Sequence, residues 1–260
     1  LCNGQSPKLF TTDKELSSSL INQIYQDRNG FIWIATEDGL NRYDGAKFTI
    51  YKHEPNNEHS LAHNFVRTVF EDSKGHLLIG TYIGIQMYDP ATDNFTPLAK
   101  LEDTGETLES NINSFIERKN GEIWVSGNVL CKLDIKDHLL TVRKVDIAVT
   151  SPGSLFEDKK QNVWMAKGEE GVYQLTPDNQ LTLHLSKDNG YVKSICEDQR
   201  GNIYVGSIRK GLFIYDKERK TFVPIDLKEK GELPVCFLYS GIPNELYIGT
   251  DGKGVDTADR

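Results

Sequence analysis

The sequence lacks a long apolar run. Nothing in its 260 residues approaches the ~20 consecutive apolar residues of a membrane helix, so no spanning helix is expected. It also lacks excess positive charge. Thirty Lys and Arg stand against 38 Asp and Glu, a formal net charge of −8. A nucleic-acid binder needs a basic stripe to neutralise phosphate, and that class is excluded. Cysteine is scarce. Cys2, Cys131, Cys196 and Cys236 form no CxxC pair and match no zinc spacing, so they read as small apolar residues rather than ligands. Their use does not reveal a compartment. No cleavable leader is visible, and the opening LCNGQ reads as a chain already trimmed. Sustained helical periodicity is absent, which leaves all-β as the class. GxSxG, HExxH and phosphate-loop motifs are absent as well.

What the sequence does have is a repeat. DRNGFIWIATEDGLNRYD returns as DSKGHLLIGTYIGIQMYD and again as DQRGNIYVGSIRKGLFIYD. Anchored on the turn glycine or its equivalent, the copies stand at Gly30, Gly75, Gly121, Gln161, Gly201 and Asn244. The steps are 45, 46, 40, 40 and 43 residues. A period near 40–45 with strand-like content is that of a propeller blade. Three residues past each anchor stand Trp33, Leu78, Trp124, Trp164, Tyr204 and Tyr247, so all three tryptophans share one register. Five past each anchor stand Ala35, Gly80, Ser126, Ala166, Gly206 and Gly249, all small. The bulky position calls for a deep slot between layers. The small position calls for close approach of a neighbouring backbone or ring.

Each copy reads as four strands. In the first, INQIYQD leads into FIWIAT (31–36), then GLNRYD (39–44) and KFTIY (47–51). The turns DRNG and YDGAK carry residues that tolerate positive φ. FIWIAT is apolar on both faces, as in a sheet covered on both sides. The third and fourth copies are weakest, with Arg118 for the turn Asp and Gln161 for the Gly. The expected fold is an all-β propeller of four-stranded antiparallel blades near 22–51, 64–96, 112–143, 153–184, 192–223 and 235–260. KLFT (8–11) is expected as a closing outer strand for the last blade. By count this is either a six-bladed ring or part of a longer seven-bladed or tandem array.

The pattern Asp-x-x-Gly-x-(Ile/Leu)-Trp-(Ile/Val)-(Gly/Ala)-Thr-x-x-Gly-Leu-x-x-Tyr-Asp resembles the two-component-regulator propeller repeat. The stretch SLINQIYQDRNGFIWIATEDGLNRYDGAKF looks like the opening of the sensor region of hybrid two-component systems from gut anaerobes. That resemblance implies a periplasmic sensor region of an inner-membrane protein, usually two seven-bladed propellers followed by an immunoglobulin-like domain and a membrane helix. A histidine kinase, a receiver and a DNA-binding domain follow in the cytoplasm. The implied input is an oligosaccharide from a complex glycan. The implied partners are that ligand, the remaining sensor domains and a second copy in a homodimer. The sequence departs from the family in extent, having six copies and no kinase.

Stereotyped turns mark one propeller face. Variable connections mark the other: residues 52–64, 99–111 and 186–193, with the tips 37–38, 82–83, 167–170, 208–210 and 251–253. Variable loops on a rigid scaffold are where recognition sits. Sugar recognition needs a flat ring against C–H faces and planar polar groups for hydroxyls. The candidate ligand-binding residues are therefore Tyr82 and Tyr191 as platforms and Asn64, Arg67, Asn113, Lys193 and Arg209 as polar arms. The plain readings stand beside these: Asn22, Asn64 and Asn113 as turn caps, loop-tip Arg and Lys as solvated. Trp33, Trp124 and Trp164 read as core because their register repeats. His53, His59 and His63 share a loop but lack a metal-site spacing. Glu37-Asp38 and Glu169-Glu170 are adjacent pairs whose carboxylates point apart, unlike a glycosidase pair. One carboxylate per DxxG turn is too few for calcium. No catalytic residue, cofactor or metal is expected. The alternatives are a propeller lyase or glycan-active enzyme, and a scaffold that only spaces or dimerises the sensor.

Overall fold

The computed structural model describes residues 10–12, 15–185, 190–226, 233–240, 245–252 and 254–259. Those residues form strands, turns and loops, with no helix among them. The fold is all-β, a β-propeller of six sheets. The first holds β1 (Ile21–Gln26), β2 (Ile32–Thr36), β3 (Gly39–Tyr43) and β4 (Phe48–Tyr51). The second holds β5 (Val66–Glu71), β6 (Leu77–Thr81), β7 (Ile85–Asp89) and β8 (Asn94–Phe95). After the short β9 (Lys100–Leu101), the third holds β10 (Ser114–Glu117), β11 (Ile123–Ser126), β12 (Leu130–Lys136) and β13 (Leu139–Lys144). The fourth holds β14 (Leu155–Glu157), β15 (Val163–Lys167), β16 (Gly171–Leu175) and β17 (Leu181–Leu185). The fifth holds β18 (Val192–Glu197), β19 (Ile203–Ser207), β20 (Gly211–Asp216) and β21 (Thr221–Pro224). The sixth holds β22 (Val235–Tyr239), β23 (Glu245–Thr250) and β24 (Gly254–Asp259).

Four sheets have the expected four strands in sequence order. Two depart. The third takes β9 as a fifth strand, paired parallel to β13 with Lys100 opposite Thr141 and Leu101 opposite Val142. Part of the 99–111 connection is therefore a paired edge rather than a free recognition loop. The sixth has three strands among the described residues. Of the expected closing strand, residues 8 and 9 lie outside the described residues, as does the sixth anchor, Asn244. Phe10 and Thr11 take no strand conformation. Phe10 instead packs on Tyr43 at 5.2 Å and Phe48 at 5.0 Å, rings of the first sheet.

The chain forms two compact units, Leu1–Ile112 with Leu133–Arg143, and Asn113–Lys132 with Lys144–Arg260. In the first, Trp33, Ala35, Leu40, Val66, Val69 and Ile79 share one buried core. In the second, Trp164, Ala166, Val192, Ile195, Val205 and Phe213 share another. The repeat register explains both. Trp33 is fully buried, stacks on Tyr51 at 5.9 Å and donates from Nε1 to Asp27 Oδ2 at 2.8 Å. Trp164 donates from Nε1 to Asp158 Oδ2 at 2.9 Å, beside Tyr215 and Phe222. Each turn Asp thus closes its own hairpin and satisfies the strand ring. Asp27 Oδ1 accepts from the amides of Asn29 and Phe31, and Asp158 Oδ1 from those of Lys160 and Asn162. Buried carboxylates persist because every lone pair so used replaces a lost water.

The small position receives the next sheet. A Cβ on Gly80 would lie 2.6 Å from Ile112 Cγ2, and one on Gly206 would lie 2.5 Å from Val235 Cγ1. Ser126 instead donates its hydroxyl to the Gly153 carbonyl at 2.5 Å. A further device escaped sequence reasoning. The last residue of the innermost strand is Glu71, Glu157 or Glu197, and it accepts the turn amide of the preceding sheet. Arg28 N reaches Glu71 Oε2 at 2.9 Å, Lys119 N reaches Glu157 Oε2 at 2.7 Å and Lys159 N reaches Glu197 Oε2 at 3.2 Å. Lys119 and Lys159 also donate from Nζ to the carbonyls of Asp158 and Asp198.

Candidate functional site

The seven predicted recognition residues fall in the two units, three in the first and four in the second. In the first unit Asn64 is committed to structure. Its Oδ1 accepts the His53 amide at 2.8 Å and its Nδ2 donates to Asp38 Oδ1 at 3.0 Å. Tyr82 is exposed, with its ring 5.6 Å from His63 and 6.1 Å from Phe65. The Arg67 guanidinium lies 5.9 Å over the Phe65 ring. Tyr82 and Arg67 therefore flank one aromatic patch, and Asn64 braces a loop. The three histidines of that loop bind backbone or rings. His53 Nδ1 meets the Leu61 carbonyl at 2.9 Å, His59 Nδ1 meets that of Phe95 at 3.1 Å, and His63 Nδ1 accepts the Phe65 amide at 2.9 Å.

In the second unit Asn113 donates from Nδ2 to the Pro152 carbonyl at 3.0 Å, as Asn22 does to that of Val66 at 2.7 Å. Both are long-range links, to carbonyls 39 and 44 residues away, rather than local turn caps. Lys193 is exposed and stands apart from the cleft described next. It occupies a bulge. The innermost strands β1, β5, β18 and β22 each shift register after their first residue, leaving Asn22, Arg67, Lys193 and Cys236 unpaired. A bulge re-aims the side chain it carries. The signal available in the sequence was a polar residue, Asn22, Arg67 or Lys193, interrupting an apolar strand start.

Tyr191 and Arg209 do come together. They line an open cleft of about 470 Å³ with Ser151, Lys167, Gly168, Glu169, Glu170 and Gly190. Four connections build it, the β13–β14 segment supplying Ser151. The β15–β16 turn supplies 167–170, the segment before β18 supplies Gly190 and Tyr191, and the β19–β20 turn supplies Arg209. The backbone holds the last three of these together, since the Val192 amide donates to the Gly168 carbonyl at 2.9 Å and the Ile208 amide to that of Tyr191 at 2.9 Å. Gly168 adopts φ +44°, and a Cβ there would lie 3.0 Å from Tyr191 Cε2. Glycine at that tip lets the tyrosine ring lie against the backbone.

Charge in the cleft is balanced. Arg209 pairs with Glu169 at 2.9 Å, both largely exposed. Lys167 pairs with Glu170 at 2.8 Å and reaches Thr150 Oγ1 at 3.2 Å. The adjacent carboxylates thus bind different cations, which separates their roles. The exposed Arg209–Glu169 pair exchanges partners at little cost, so a polyhydroxyl ligand can insert there, whereas Lys167 is largely buried. The Tyr191 ring, a guanidinium and two carboxylates form a surface that stacks on C–H faces and hydrogen-bonds to hydroxyls. Ser151 was not singled out by sequence reasoning, and Gly168 only as part of the 167–170 tip. Among the described residues no group of three His, Cys, Asp or Glu side chains is placed to hold a metal ion.

Known proteins agree with the repeat. The two-component regulator propeller family model matches residues 15–38, 60–82 and 186–209. A 55-residue stretch is 42% identical to histidine kinase P4 of Formosa agariphila, covering 21% of this chain and 4% of that protein. Among solved structures, the extracellular domain of BT4673 from B. thetaiotaomicron, described as a hybrid two-component system, superposes with a TM-score of 0.72 at 19% identity. The match covers 93% of this chain and 36% of that one. Virginiamycin B lyase from Staphylococcus aureus superposes at 0.66 with 11% identity, over 93% of this chain and 85% of that one. At these identities the two superpositions show the fold alone. The chain spans about a third of the BT4673 domain.

Proposed function

We propose that this chain is a non-catalytic, periplasmic ligand-sensing module of a hybrid two-component signalling protein. Its input is a glycan-derived oligosaccharide, and its output passes to a histidine kinase outside residues 1–260. The observation that carries the ligand half is the cleft in which Tyr191 lies over Gly168 beside the Arg209–Glu169 pair. The signalling half is supported by the matched repeats and by the likeness to extracellular domains of two-component systems. Binding alone does not signal. The ligand must favour one arrangement of a homodimer, or of the neighbouring sensor domains, over another.

Titration calorimetry against a panel of glycan-derived oligosaccharides tests the reading. At least one is expected to bind, and Tyr191→Ala is expected to weaken it about tenfold, the loss of one stacking platform. If neither this chain nor the full-length protein binds any member, the carbohydrate assignment fails. Binding that Tyr191→Ala leaves intact moves the site away from the cleft.

A further inference from the structure

The cations and carboxylates that line the Tyr191 cleft are matched to one another in two pairs of unlike character. The inner pair is held in place. Lys167 Nζ lies 2.8 Å from Glu170 Oε2, also reaches Thr150 Oγ1 at 3.2 Å, and belongs to a side chain that is only 14% exposed. Glu170 Oε2 accepts in turn from the Tyr173 hydroxyl at 3.4 Å. The outer pair stands in solvent. Arg209 Nη1 lies 2.9 Å from Glu169 Oε1, with side chains 64% and 63% exposed, and the two residues come from different turns. Gly190 fixes where Arg209 stands. Its φ is +76°, and a Cβ there would lie 2.9 Å from Arg209 Cβ and 3.1 Å from Lys210 Cγ. A residue without a side chain lets the segment that carries Tyr191 press against the arginine stem, so ring and guanidinium are presented together.

A guanidinium beside a carboxylate offers donors next to acceptors. A vicinal diol matches that pair, because one hydroxyl accepts from Arg209 while its neighbour donates to Glu169. A carboxylate or a sulfate ester does not match it. Such a group only accepts, so it takes Arg209 only by displacing Glu169. Glu169 is then left beside Glu170 and the incoming anion, and three anionic groups share the two lining cations. Like charges brought together in this way are a repulsive element that makes a site selective.

From this we infer that the cleft is selective for uncharged saccharides, and that Glu169 is the residue that rejects acidic ones, uronates and sulfated sugars alike. The inference rests on the carbohydrate reading above and narrows its substrate class. Arg209 serves as a donor to hydroxyls rather than as an anion receptor, because its charge is already answered by Glu169. Glu170 cannot take over that task, since it is bound to Lys167.

Calorimetry with matched probes tests the inference. Cellotetraose, mannotetraose and β-1,4-galactotetraose join the panel, each beside the uronate in which its primary alcohols are oxidised to carboxylates. A neutral tetramer is expected to bind at least about tenfold more tightly than its uronate. Glu169→Gln keeps an acceptor and removes the charge, and is expected to shrink that preference about tenfold. Raising salt from about 0.05 M to about 0.5 M is expected to narrow the preference of the parent protein, because exposed charges are screened. Equal affinity for neutral and uronate tetramers, or tighter binding of the uronates, would overturn the inference and leave the carbohydrate reading standing. A preference that both Glu169→Gln and salt leave intact would overturn it as well, assigning the rejection of acids to shape. Silence from these probes and the rest of the panel would remove the carbohydrate reading and this inference with it.

Discussion

Trp124 shows how one substitution in the turn is absorbed locally. Its sheet has Arg118 where Asp27 and Asp158 stand in others, so the indole donates instead to Glu122 Oε2 at 3.0 Å. Arg118 turns onto the Trp124 ring at 4.6 Å and pairs with Glu157 at 2.8 Å. Glu122 also takes Lys132 at 2.6 Å. The Lys132 hydrogen bond, aided by those from Trp124 and Asn120, holds the Glu122 carboxyl down at about 2 from an ordinary 4.5. A carboxyl lowered in the folded state contributes stability that is fully present above pH 4.5 and is lost as pH falls toward 2. Glu122→Gln should therefore cost up to about 1 kcal/mol at pH 7, discounted because a third of the side chain is in solvent. The gap between variant and parent melting temperatures should close on acidification from pH 5 to 2. A gap that holds constant through that range would show that the ion pair with Lys132 does not lower the carboxyl.

At the scale of the element, the middle strands were the most legible part of the molecule. The phase of Trp33, Trp124 and Trp164 against Ala35, Ser126 and Ala166 placed both faces of β2, β11 and β15 before any coordinate, because large and small residues answer opposite steric needs. β9 was not legible. Lys100 and Leu101 sit in a polar stretch, and their strand conformation comes from Thr141 and Val142, some forty residues away. The glutamate latches were hidden for a different reason. Glu71, Glu157 and Glu197 precede a turn Asp and so pass for solvated turn residues, whereas each captures an amide from another sheet. Packing at the small position is the sharpest check on the stacking. Gly80→Leu should lower stability by about 1–3 kcal/mol in denaturant unfolding, since even its Cβ would meet Ile112 and Thr68 at 2.6 Å. Unchanged stability would mean that the neighbouring sheet does not press on β6.

For the whole molecule, recognition was legible as a face and only partly as a site. Tyr191 and Arg209 meet in one cleft, but Asn64 and Asn113 spend their side-chain amides on Asp38 and on the Pro152 carbonyl. Asp38 lies 26 residues before Asn64 and Pro152 lies 39 after Asn113, and partners that distant are invisible when only residue type and local spacing are weighed. Tyr82 and Arg67 flank an aromatic patch with His63 and Phe65 in the first unit, while the cleft with its charged lining lies in the second. The second unit is therefore where the account places the ligand. The direct measurement is a backbone amide hydrogen-exchange map of the chain, free and saturated with the oligosaccharide that calorimetry identifies. Slowed exchange confined to 167–170, 190–192 and 207–210 is the predicted result. Slowing at the turns around Gly30, Gly121 and Gly201, with those three segments unchanged, would contradict it.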